Sequence, residues 1–102
     1  MEQDKGYTYR LSGQDYRVML HFGRYSQGNP AIELYDLDDG FPFAKSTINI
    51  PGLGKDEVAV KNYSENEGML DFLVENGIVH PPHKMEQSGF VTVPVCKIKM
   101  DR

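Results

Sequence analysis

The sequence predicts an α+β fold, a mainly antiparallel sheet of five or six strands with one α-helix packed on one face. Three observations carry this. Between residues 7 and 61, apolar and polar side chains alternate in short runs separated by Gly, Pro, Asn, Asp and Ser, the period-2 pattern of half-buried strands. The segment after Ser64 changes to helical spacing and is stopped by Gly77. The last run, Phe90 to Met100, is the densest in β-branched residues.

Taken in order, Tyr7, Tyr9 and Leu11 alternate with polar neighbours, which predicts a first strand. Ser12 to Asp15 is turn chemistry, and alternation resumes from Tyr16 to Phe22 with Val18, Leu20 and Phe22 on one face, completing a hairpin. Ser26 to Pro30 is a second turn cluster. Ala31 to Asp36 then places Ile32 and Leu34 inward, with Glu33 and Tyr35 on the opposite face. Asp38-Asp39-Gly40 supplies a strong hairpin signal, because Asp-Gly accepts positive φ at little cost. The next strand is expected over Phe43 to Ile50, with Ala44, Ser46, Ile48 and Ile50 on one face and Lys45, Thr47 and Asn49 on the other.

Pro51 to Gly54 ends that strand, and Glu57 to Lys61 forms a short fifth one with Val58 and Val60 inward. Ser64-Glu-Asn-Glu67 has the form of a capping box, so a helix is expected over Glu65 to Asn76. Its buried stripe is Met69, Leu70, Leu73 and Val74, with Phe72 on the flank. Gly77 provides a left-handed cap that folds Ile78 back onto Leu73. Gly68 weakens the first turn unless its backbone packs closely on the sheet. Val79 to His83 is extended by its two prolines. In the final strand Val91 and Val93 have one parity and Cys96, Ile98 and Met100 the other, which predicts a bulge or change of face at Pro94.

With 102 residues the chain fits one domain, 1–102, with residues 1–5 expected to be disordered. No apolar run approaches the ~20 residues that span a bilayer, and no apolar segment follows the polar N-terminus, so neither a membrane span nor an export signal is expected. One cysteine, Cys96, allows no intramolecular disulfide, and a cytoplasmic location follows as the expectation. The net charge of −4 is concentrated in the middle. Residues 31–75 hold ten acidic side chains against three lysines, a local net of −7. Such a segment repels phosphate backbones and attracts basic surfaces, although a mildly acidic chain can also be acidic only for solubility.

Candidate chemistries fail on spacing. If Gly40 held position 6 of a calcium loop, Tyr35 would fall at position 1 and Ser46 at position 12, where oxygen ligands and a bidentate Glu are required. His80 and His83, in a polyproline segment, would lie about 9 Å apart with no soft third ligand beside them. Cys96 falls inside a strand and reads as a buried structural thiol. No nucleophile elbow, Walker loop, dinucleotide-binding glycine pattern or H-E-x-x-H occurs. No metal, cofactor or catalytic residue is therefore assigned.

The binding reading puts a protein partner on Glu33, Asp36, Asp38, Asp39, Glu65 and Glu67, with direct nucleic-acid binding disfavoured by the charge. An alternative face of Tyr7, Tyr9, Tyr16, Arg17 and Tyr25 would suit a small-molecule or nucleotide-binding module, with a pocket between the subunits of a homodimer.

The stretch from Lys55 to Val79, KDEVAVKNYSENEGMLDFLVENGIV, with the upstream AIELYDLDDGFPFAKSTINIPG, resembles a family of small proteins of about this length. They are encoded on plasmids, conjugative elements and phages of Firmicutes and Bacteroidetes. The resemblance covers roughly the central half of the chain and transfers no site residue. It implies an accessory protein that binds a host protein, an inhibitor of host defence such as an anti-CRISPR protein being one form.

Overall fold

A computed structural model describes residues 6–99, with the side chain of Glu65 excepted. The expected disorder of residues 1–5 and the facing of Met100 lie outside the described residues. The fold is α+β, but the strands form two four-stranded antiparallel sheets in place of one. The first contains β1 (Tyr7–Leu11), β2 (Gln14–Arg24), β3 (Pro30–Asp36) and β4 (Pro42–Lys45), in that order. Leu11 pairs with Gln14 across a two-residue turn, Ser12-Gly13, in which both residues have positive φ, as a hairpin that follows the strand twist requires.

The second sheet contains β5 (Thr47–Ile48), β6 (Glu57–Val60), β7 (Lys84–Ser88) and β8 (Val91–Lys97), in the order β5-β6-β8-β7. The expected strand over residues 43–50 is thus divided at Ser46, where the chain leaves one sheet and joins the other. Ser46 donates through both N–H and Oγ to the carbonyl of Ile32, at 3.1 and 2.8 Å. Thr47 Oγ1 accepts the Ile32 N–H at 3.2 Å, and its hydroxyl also contacts Tyr25 Oη at 3.1 Å. Thr47, expected on the outer face, is 3 % exposed, because the corner turns it into the seam between the sheets.

The helix is shorter than expected. Ser64–Asn66 is a 3-10 turn, Gly68 sits at φ 89°, and α1 covers only Met69–Glu75. Ser64 makes no side-chain cap; its φ of 55° and the left-handed Gly68 turn the chain too sharply for a capping box. Asn62 Oδ1 accepts the Leu70 N–H instead, and the buried Asn66 amide ties the turn to the carbonyls of Lys45 and Lys61. The other end is as expected. Ile78 N–H reaches the Leu73 carbonyl and Gly77 N–H the Val74 carbonyl, a complete Schellman cap with Gly77 at φ 71°.

β7 has no counterpart among the expected strands. It joins β8 through Gly89-Phe90, and the pairing runs without a register shift past Met85↔Pro94, so the bulge expected at Pro94 is absent. The change of parity has another cause: β8 is buried on both faces. Val93 and Val95 enter a small cluster with Ile50 and Ala59, while Cys96 faces the main core. That core joins Tyr9, Val18, Ile32 and Leu34 of the first sheet to Val58 and Val60 of the second and to Met69, Phe72 and Leu73 of α1. Among the described residues no helix is long and apolar enough to cross a membrane.

The corner makes a stability prediction. Thr47→Val keeps the shape but leaves the buried Ile32 N–H unpaired, and is expected to cost about 1–3 kcal/mol in urea unfolding, with the slope of the transition unchanged.

Candidate functional site

The acidic residues of the middle segment divide into those that hold the fold and those that face solvent. Asp36 Oδ1 accepts the amides of Asp38 and Asp39 at 2.8 and 3.3 Å, and Asp39 Oδ1 accepts that of Phe41 at 2.9 Å. Both are turn-forming carboxylates, engaged by the bend between β3 and β4. Asp38 is exposed at its tip. Glu33 lies half-buried on the outer face of the first sheet, opposite Lys45 and His21, and accepts the Tyr35 hydroxyl at 3.2 Å. That bond pushes the Tyr35 phenol above its ordinary range. The Asp36–Asp39 turn and the start of α1 lie at opposite ends of β4, since Asn66 binds Lys45 and the turn precedes Pro42.

Glu67 is exposed where the chain enters α1, and its carbonyl accepts the Tyr9 hydroxyl at 3.2 Å. Burial first, and the Glu67 charge second, raise the Tyr9 phenol. Asp71 and Glu75 follow on the exposed side of the helix, four residues apart, and line a shallow groove of about 300 Å³ with Thr8 and Arg10 of β1. Arg10 is ion-paired with Asp15 at 3.2 Å. No basic residue occupies the last turn of α1. Sequence reasoning selected Glu67 but passed over Asp71 and Glu75, although their i,i+4 spacing places them side by side on any helix through this segment.

The tyrosines of the alternative face point largely inward. Tyr9 is 1 % exposed and packs edge-on against Phe43 and Phe72. Tyr7 meets Phe72, and Tyr16 meets Phe43. Tyr25 bonds to Thr47 at the corner, and Arg17 is exposed on the other face. Alternation explains this: Tyr7, Tyr9, Tyr16 and Val18 share the core side of the β1–β2 pair.

Two further titratable groups have structural surroundings. Glu57 Oε1 accepts the Gly54 amide at 2.8 Å and Oε2 lies 2.7 Å from His83 Nε2, pinning the 51–54 loop to the segment before β7. The Gly54 bond, then the His83 bond, hold the Glu57 carboxyl below its ordinary value. Cys96 is buried, and desolvation pushes its thiol up to about 11.

Comparison with known protein families, curated proteins and solved structures finds no match.

The Glu57 surroundings fix the sign of one pH effect. A carboxyl depressed in the folded state contributes stability fully above its unfolded value near 4.5 and loses it as pH falls through the lower folded value. Glu57→Gln should therefore lower stability at neutral pH and flatten the acid limb below about pH 4.5, read from urea midpoints across that range. The thiol gives a second: Cys96 should not react with a thiol reagent at pH 8 in native protein and should react fully once the chain is unfolded.

Proposed function

We propose that this chain is a non-enzymatic accessory protein that acts stoichiometrically, binding the basic surface of a protein partner through the acidic side of α1. The observation that carries the reading is the set of exposed carboxylates Glu67, Asp71 and Glu75 at the helix start, first turn and last turn. Two like charges at i,i+4 oppose helix formation by roughly a few tenths of a kcal/mol, and an acid at the C-terminal end opposes the backbone dipole. Nothing basic in that last turn offsets it. Glu67 and Asp71 gain from the positive end of the helix dipole, but the Asp71–Glu75 pair and the acid in the last turn cost local stability, and that part of the arrangement favours a use beyond the fold.

Arg10, already paired with Asp15, leaves the groove beside Asp71 and Glu75 open to an incoming guanidinium or ammonium group. Opposite charge across such an interface speeds encounter and fixes orientation, while apolar contact around it supplies affinity. A surface of this sign fits protein sites that otherwise hold phosphate backbones. The family resemblance of residues 31–79 gives this a setting on a mobile element, as an inhibitor of a host nucleic-acid-binding defence protein.

The test is a tagged pull-down from host lysate at low and moderate salt with the Asp71→Lys/Glu75→Lys variant alongside. A stoichiometric partner is expected to be captured, to weaken with salt, and to be lost at least about tenfold in the variant, while Asp38→Lys leaves capture intact. Equal capture by wild type and variant, indifferent to salt, would overturn the reading.

A further inference from the structure

The geometry points to a second interaction, independent of the acidic helix side: β7 pairs edge to edge with β7 of a second copy, joining the two second sheets into one eight-stranded sheet. β7 ends the order β5-β6-β8-β7, so no strand among the described residues lies beside its outer side. Ser88 and Val91 flank the two-residue turn Gly89-Phe90, and in such a hairpin the flanking pair exchanges both backbone hydrogen bonds. Alternation then turns the N–H and C=O of Ser88, Glu86 and Lys84 toward β8, and those of Met85 and Gln87 toward the free edge.

The strand's own sequence selects the register. In a two-fold antiparallel pair centred on Met85, Lys84 of one copy lies opposite Glu86 of the other, and the reverse, on the same sheet face. Lys84 and Glu86 already face one another within the strand at 3.7 Å, so neither must turn far to exchange partners. Centring on Glu86 would set the two glutamates opposite each other, and centring on Gln87 would leave both charges without opposites; like charges directly across a ladder are destabilising. Only the Met85 register is complementary in charge, and its backbone bonds are those that the two Met85 residues exchange, because His83, opposite Gln87, gives its N–H to Val95 at 3.0 Å.

The same register covers two of the three large apolar side chains that the monomer leaves exposed among the described residues, Phe41 just before β4 of the first sheet being the third. Met85 is 56 % exposed and Phe90 fully so. The two Met85 side chains would meet across the axis, on the face where Met85 borders a groove lined by Leu70, Pro82 and Pro94. Ser88 and Gly89 come opposite Pro82 and Pro81 of the second copy, carrying the Phe90 tip toward that exposed proline pair. Lys84 and Glu86 alone would be weak edge protection, since each charge a neighbouring chain meets is matched.

A charge-swap series decides it, read by light scattering after size exclusion from micromolar to submillimolar protein, with circular dichroism confirming fold. Wild type is expected at twice the chain mass. Lys84→Glu and Glu86→Lys alone should each raise the dimer dissociation constant by about tenfold or more, and the double variant Lys84→Glu/Glu86→Lys should restore it. A wild type that stays monomeric throughout, or a dimer that the single reversals leave unchanged, overturns the proposal. Because these variants leave Glu67, Asp71 and Glu75 intact, partner capture by α1 is scored separately.

Discussion

Both backbone groups of Ile32 are given to the pair Ser46-Thr47, and the arrangement of the two sheets depends on that exchange. Its carbonyl accepts Ser46 twice and its N–H is taken by Thr47 Oγ1, all in the interior. A strand leaving one sheet for another must abandon one set of ladder bonds before gaining the next, and buried groups left between would cost the full desolvation penalty. Two adjacent hydroxyls bridge that gap. Ser46 then passes the chain onward, its carbonyl accepting the Lys61 N–H beside β6. With the corner fixed, Val58 and Val60 face Ile32 and Leu34 across one core, and α1 closes its open side through Met69, Phe72 and Leu73.

The corner was written in the sequence but not in the property that periodicity reads. Ala44, Ser46, Ile48 and Ile50 keep perfect period-2 parity, so residues 43–50 look like one strand; what distinguishes them is hydrogen-bonding capacity at 46 and 47, which matters only once Ile32 is known to lie opposite. β1 to β3 were legible because each has one wet and one dry face. β7 was not, since an edge strand of Lys, Met, Glu, Gln and Ser buries little and shows no alternation. In β8 the opposite condition hid the pattern: burial on both faces erases parity, and Pro94 then took the blame for a shift that belongs to the packing. The two ends of α1 make the same point. Gly77 followed by an apolar residue has few alternatives to a Schellman cap, whereas S-x-x-E is compatible with several local turns, and the left-handed Gly68 decided against the box.

For the candidate site, composition located the charge without sorting its uses. Of the acids selected from sequence, Asp36 and Asp39 spend an oxygen on the turn they belong to, a role their Asp-x-Asp-Asp-Gly setting already allowed. Glu33 is partly taken by Tyr35. Apart from Asp38 at the turn tip, the uncommitted carboxylates among those described here are at the helix, where the signal is relational: Asp71 and Glu75 gain meaning from being neighbours on one face and from the lack of a basic residue in the last turn of α1. The tyrosines show a comparable limit, Tyr9 being buried and Tyr7, Tyr16 and Tyr25 partly so. Their spacing was correct, but the face they share is the core face, which only the second sheet and α1 could reveal.

The acidic side of α1 and the free edge of β7 are not remote from each other. Leu70 of the helix and Met85 of β7 line one groove, so the element that carries the charge and the strand that would carry the pairing are set on adjoining walls. A two-fold axis at Met85 would therefore place two acidic helix sides in one assembly, each available while the edges are paired. Binding of the first to a basic surface would hold the second at high effective concentration, and a modest single-site attraction would become durable only where the target offers two such surfaces at the matching span. Self-pairing at β7 would in that way act as a selector of target geometry, a discrimination that a screened surface charge cannot supply by itself.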